Sequence, residues 1–246
     1  MHTPSPKYLL WLQASQNFAI QLVMSVLYPF LKQHFTLPEL SLLSAVQYSI
    51  PLLLLPWIRV FWIRRFILAA FVAAAIRMAM AANIDTHIEL YTAAILAGCM
   101  LVFFWVPYEI IYFRSKSGHG TSSAWYFSIG SWVSILAPIT AGIIADKAGY
   151  STLCAFGVIF LLPSIILAWR FPDERISENL KDSLASLQGI RHLIFFDGFF
   201  LSTSTAIISL SLLTFTQSVS VFGTITSIAT LIATLVSFAA ARQSVG

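Results

Sequence analysis

From one end of the chain to the other, apolar runs of bilayer-crossing length alternate with short polar breaks. A membrane helix needs about 20 mostly apolar residues, and in lipid its backbone groups must bond within the segment. A chain patterned this way has one economical fold, a bundle of membrane helices. The runs cover about 8–31, 41–58, 66–83, 89–111, 123–145, 151–170, 193–215 and 219–241, eight in all. The predicted class is therefore an all-α, polytopic helical bundle with about eight transmembrane helices and the lipid bilayer as its main partner. Composition agrees: 10% of the 246 residues are charged, against about 25% in a soluble domain.

The basic residues then orient the bundle. With the N-terminus inside, the inner segments hold Lys7, Arg59, Arg64, Arg65, Arg114, Lys116, Arg170, Arg175, Lys181, Arg191 and Arg242, and the outer ones only Lys32 and Lys147. Positive charge favours the cytoplasmic side, so both termini are expected in the cytoplasm, in a plasma or inner membrane. The net charge of +4 is spread over short loops, which argues against a nucleic-acid partner. Lys7 alone precedes the first run and no small-residue cleavage site ends it, so it is read as a retained helix and not a signal peptide. Cys99 and Cys154 both fall in apolar runs and read as packed core residues. The sequence has no H-E-x-x-H, no G-x-S-x-G and no phosphate-cradling loop, and its five histidines are scattered. No enzyme activity, metal or cofactor is expected.

The fifth run carries the most specific pattern. Gly130, Ser134, Pro138 and Gly142 recur every four residues and share one helix face. Such a face lets a second membrane helix come close, and Pro138 removes one backbone bond. Its order, Ala137-Pro138-Ile139-Thr140-Ala141-Gly142 followed by Asp146 and Gly149-Tyr150, resembles the fifth helix of major facilitator superfamily transporters, with Ala137 and Ala141 standing where glycines are usual. Arg64-Arg65 is similar to the closing pair of the family's loop between helices two and three. The Asp and both Gly of that motif are absent, so these arginines read as a cytoplasmic anchor, and Glu109 is expected to pair with a loop arginine such as Arg64, Arg65 or Arg114.

The resemblance implies a six-helix half in residues 1–170, a cytoplasmic linker in 171–192 and the first two helices of a second half in 193–246. Within the linker Ile176, Leu180, Leu184, Leu187 and Ile190 are spaced for an amphipathic helix. Twelve helices are implied, so the sequence reads as a truncated chain. The implied activity is transport by alternating access, with a small solute as substrate and a proton as coupling ion. A membrane protein that does not transport, such as an assembly partner or a transporter remnant, is the alternative. Helix five is expected to pack antiparallel on helix eight, through Gly223, Ala229, Ala233 and Ser237.

Polar residues inside the runs are the candidates for function. Gln13, Asn17 and Gln21 form a four-residue stripe in the first run, beside Gln16, and Gln47 and Tyr48 lie in the second. Amides cannot face lipid cheaply, so the stripe is expected to face the bundle or a substrate cavity. Arg77 and Asp197 are the intramembrane charges, and such residues mark functional sites by default. Arg77 lies about 9 Å along a helix from Asn83, so it is expected to snorkel toward Asp85 and Glu89 in a structural role. Asp197 reads either as a proton carrier or as a partner of Arg191 or His192. The two differ in depth by about 10 Å, and no direct ion pair between them is expected.

Overall fold

A computed structural model describes residues 5–58, 60–114, 120–177, 211–216 and 218–243. The chain is helical almost throughout. Helix α1 is Pro6–Met24, and a turn at Ser25-Val26 leads into the short α2, Leu27–Leu31. Helix α3 spans Leu37–Leu54 and α4 spans Ile63–Ala81. Helix α5, His87–Met100, continues through a π-helical turn, Leu101–Trp105, into α6, Val106–Arg114. Helices α7, Gly120–Ala148, and α8, Tyr150–Trp169, follow, and α9 is Val219–Gln243.

Among the described residues five stretches are long and apolar enough to cross a membrane: Leu37–Leu54, His87–Tyr112, Ser128–Ala148, Tyr150–Trp169 and Val219–Val236. Helices α1 and α4 have 19 residues each, but the amides of α1 and the arginines of α4 lower their apolarity. The predicted run at 193–215 and the predicted linker helix lie mostly outside the described residues.

The helix boundaries have local causes. Helix α3 begins four residues earlier than the sequence suggests because Glu39 accepts the Thr36 N–H at 2.7 Å, closing a capping box around the first turn. Thr86 and Glu89 do the same for α5: Thr86 Oγ1 accepts from Glu89 N–H at 3.3 Å and Glu89 accepts from Thr86 N–H at 2.9 Å. Gly149 separates α7 from α8 at φ +82°, a left-handed conformation that costs glycine little.

Helix α1 sits against α7 and α8, α4 bridges α5 and α8, α3 lies on α5, and α9 lies along α7. Two apolar clusters fill the bundle. One surrounds Phe35, Leu90, Ala145, Tyr150, Leu153 and Phe222. The other surrounds Leu9, Ile67, Phe104, Tyr108, Tyr112 and Phe171. At the second end the chain forms a small antiparallel sheet in which β1, Val60–Trp62, pairs with β2, Arg175–Ser177, in the register Val60↔Ser177 and Phe61↔Ile176.

The arginine pair of the loop before α4 has a definite partner there. Asp173 accepts from Arg65 Nε at 2.9 Å and lies 3.5 Å from Arg64 Nη2, and Glu174 is 3.7 Å from Arg114. Arg65 also lies over the Trp62 ring, 4.5 Å from its centroid. The acid that Arg64 and Arg65 meet is thus Asp173, beyond α8, and not Glu109, which is exposed on α6. The reason is the β1–β2 pairing, which draws residues 173–177 across the foot of α4. Asp173 keeps 19% of its side-chain exposure, so losing its charge matters more than at an open surface. Asp173→Asn is expected to lower stability by about 2 kcal/mol, measured as a lower thermal unfolding midpoint in nanodiscs. An unchanged midpoint would mean the cluster is ornamental.

Candidate functional site

Helix α4 carries the buried charge. Ala70, Phe71, Ala73, Ala74, Arg77, Met78 and Ala81 are its buried positions in this stretch, whereas Val72 and Ile76 are exposed. Arg77 therefore projects inward along an alanine stripe and is only 7% exposed. The expected snorkelling does not occur. Asp85 is instead 3.7 Å from His34, and Glu89 is engaged in the α5 cap. Direction around the helix decides this, since a side chain on the bundle-facing side has no path along the lipid surface.

Among the described residues, what surrounds Arg77 is neutral. Its Nη2 donates to Gln47 Oε1 on α3 over a long 3.5 Å, and its Nε is buried without a hydrogen-bond partner. The phenols of Tyr150, Tyr28 and Tyr48 lie within range of its charge. Tyr28 Oη shares a 2.6 Å hydrogen bond with Ser44 Oγ. Tyr150 is buried, its ring stacked on Phe30 at 3.9 Å between centroids. Its hydroxyl lies beside the Cys154 thiol but makes no hydrogen bond of normal geometry. No carboxylate among the described residues pairs with Arg77. Gln47 is half-buried and Tyr48 exposed on α3.

A cavity of about 350 Å³ opens next to this cluster, lined by Phe30, Leu31, His34, Ala81, Asp85 and Tyr150, among others. Tyr150 belongs to both the cavity wall and the Arg77 surroundings, and Ala81 is about one helical turn from Arg77 on the same face.

The stripe of α1 is split by depth. Gln13 and Gln16 are buried, and Asn17 and Gln21 are half-buried. Gln13 Oε1 lies 3.3 Å from Tyr108 Oη, which also bonds Leu9 O at 3.0 Å, so Gln13 ties α1 to α6. Gln16 Oε1 is buried without a partner. Ser15 reaches Ser164 of α8 at 2.8 Å. Asp197 lies outside the described residues, and with it the expected separation of the two charges.

Helices α7 and α9 meet at their small residues. A Cβ on Gly142 would lie 2.7 Å from Ser220 Cα, and one on Gly223 would fall on the Pro138 carbonyl. The order of these contacts, 142 with 220 and 138 with 223, makes the pair antiparallel. Asp146 accepts from Ser220 N–H at 3.1 Å. The rest of the interface departs from the expected one only at the alanines. The inward side of α9 carries Gly223, Thr226, Ser227, Thr230 and Thr234, whereas Ala229 and Ala233 are exposed. At about 100° per residue, Ser227, Thr230 and Thr234 stay within about 40° of Gly223, and the two alanines are carried well off that line. Ser134 is half-buried, and a Cβ on Gly130 would meet nothing within 4 Å, so close approach is a property of the Gly142 end. The side chain of Ser237 lies outside the described residues.

Sequence reasoning missed Tyr28, Tyr150 and Asp173. For Tyr150 a signal existed, because a phenol just past a glycine turn begins the helix that faces Arg77. These features define a class: a multi-pass helical membrane protein with a buried arginine that no carboxylate among the described residues compensates. No protein-family model matches the chain, and no curated protein is found that matches it.

Proposed function

We propose that the chain is a secondary active transporter, which moves a small solute by alternating access. In this reading α1 to α8 form the six spans of one half and residues 193–246 begin a second, eight spans in the major facilitator arrangement. The end bearing β1, β2 and the arginines faces the cytoplasm, as the charge asymmetry requires. One observation carries the reading, the contact between α7 and α9. It is tight around Gly142 and Gly223 and lacks close backbone approach at Gly130. Two halves that rock about a central site need a joint of this kind, packed at one end and able to part at the other. Proton coupling fits the shortage of ionisable groups in the spans.

The test is flux in proteoliposomes. Purified protein, with a pH-sensitive dye inside the vesicles, is challenged with panels of neutral, cationic and anionic solutes. At least one class is expected to drive an internal pH change that protein-free vesicles do not show. Silence across every panel, with radiolabelled uptake equally silent, would favour a non-transporting membrane protein.

A further inference from the structure

We propose that Arg77, with Tyr150, Gln47 and Tyr48, forms a binding site for a small monovalent organic carboxylate whose body occupies the adjoining cavity. The inference deepens the transporter reading, and rests on it only for the step of movement across the membrane.

The argument begins with charge. A guanidinium stays protonated under ordinary conditions, and a buried cation is stable only when paired or richly hydrogen-bonded. Arg77 has one long bond and a buried Nε with no acceptor. Its neighbours Tyr28, Tyr48 and Tyr150 offer hydroxyls and no negative charge. Tyr150, itself nine-tenths buried, has a hydroxyl without an acceptor. Two buried donor groups of one cluster therefore lack an oxygen acceptor, Tyr150 having only the weakly accepting Cys154 thiol beside it, and an entering anion supplies one to both.

The number of charges selects the anion. One arginine neutralises one negative charge, and a dianion such as a phosphate monoester would carry an unpaired charge into a low-dielectric interior. The planar fork of arginine matches the two oxygens of a carboxylate. The walls select the remainder of the ligand. Phe30, Leu31, Ala81 and the stacked Tyr150 share with Gln33, Asn83 and Ser151 the wall of a space of about 350 Å³, the low end of small-molecule sites, so a small ring fits and a polar substituent on it is tolerated. His34 and Asp85 at the rim are 3.7 Å apart, so the acid at the mouth has a basic neighbour.

Binding is tested on the full chain in nanodiscs, from the thermal unfolding midpoint at constant ionic strength. The probes are benzoate, its neutral isostere benzamide, succinate and inorganic phosphate. Benzoate is expected to raise the midpoint saturably, with no effect of benzamide and at least tenfold weaker effects of succinate and phosphate. Arg77→Met should abolish the benzoate response. Tyr150→Phe, which removes only an unpartnered hydroxyl, should raise the half-saturating concentration about fivefold and leave the unliganded midpoint unchanged. If Arg77→Met does not fold, Tyr150→Phe decides alone, and an unchanged benzoate affinity in it overturns the site. So does equal stabilisation by benzamide, tighter binding of phosphate, or no response of the unsubstituted protein to benzoate. Benzoate binding without flux of any solute sinks the transporter reading alone. Flux of a neutral or cationic solute without benzoate binding sinks the carboxylate site alone.

Discussion

Gly223→Val is expected to destabilise the protein by about 3 kcal/mol or more, and to cut transport at least tenfold. The Cβ it adds would fall on the carbonyl oxygen of Pro138, with the carbonyl carbon only 3.0 Å away. These are backbone atoms of a helix, so no side chain can rotate to make room, and α9 has to move off α7. The displacement also separates Ser220 N–H from Asp146. The unfolding midpoint in nanodiscs reads the first effect and proteoliposome flux the second. Gly130→Val is the control, since nothing lies within 4 Å of its Cβ position, and it should be nearly silent in stability. Equal effects of the two substitutions would show that α7 and α9 are not locked at the Gly142 end.

Gly98→Val is expected to cost about as much, through a different joint. A Cβ at Gly98 would lie 2.6 Å from the Gln47 carbonyl oxygen and 2.9 Å from Ile50 Cγ1. The substitution pushes α3 away from α5 at the residue that holds Arg77. Stability should fall by about 2 to 3 kcal/mol, and the benzoate response should weaken in the same variant. Gln47→Leu separates the two causes, because it removes the bond to Arg77 without forcing the helices apart. Loss of benzoate affinity in Gln47→Leu, with a midpoint lowered less than in Gly98→Val because only the long bond to Arg77 is lost, is the expected outcome. If Gly98→Val leaves both readouts intact, the close approach of α3 and α5 does not position the site.

Periodicity along single helices was the legible part of this fold. Apolar runs announce most of the described helices within a few residues, and the four-residue spacing of Gly142 and Pro138 marks a face that does meet α9. Angle around the helix was read less well. Ala229 and Ala233 match the small-residue face in size and spacing, but the phase is fixed by Gly223, and they turn outward. Arg77 was judged by its distance from the helix end. Its azimuth was in the sequence all the same: Ala70, Ala74 and Ala81 lie on its side, and Val72 and Ile76 on the other. Contacts between distant segments had no such signal. Val60-Phe61-Trp62 is rich in strand-favouring residues, yet nothing local indicates that its partner follows α8.

The pairing of β1 with β2 has a mechanical consequence. It joins the entry of α4 to the exit of α8, so the intervening chain is closed into a loop at that end, stitched by Val60↔Ser177 and its two neighbours. The feet of α4 and α8 cannot spread apart unless the stitch tears. During synthesis the stitch also closes late, because β1 waits for everything through residue 177 to emerge. Opening between α4 and α8 is accordingly restrained at the stitched end and less so at the opposite end, beside the Tyr150 cavity.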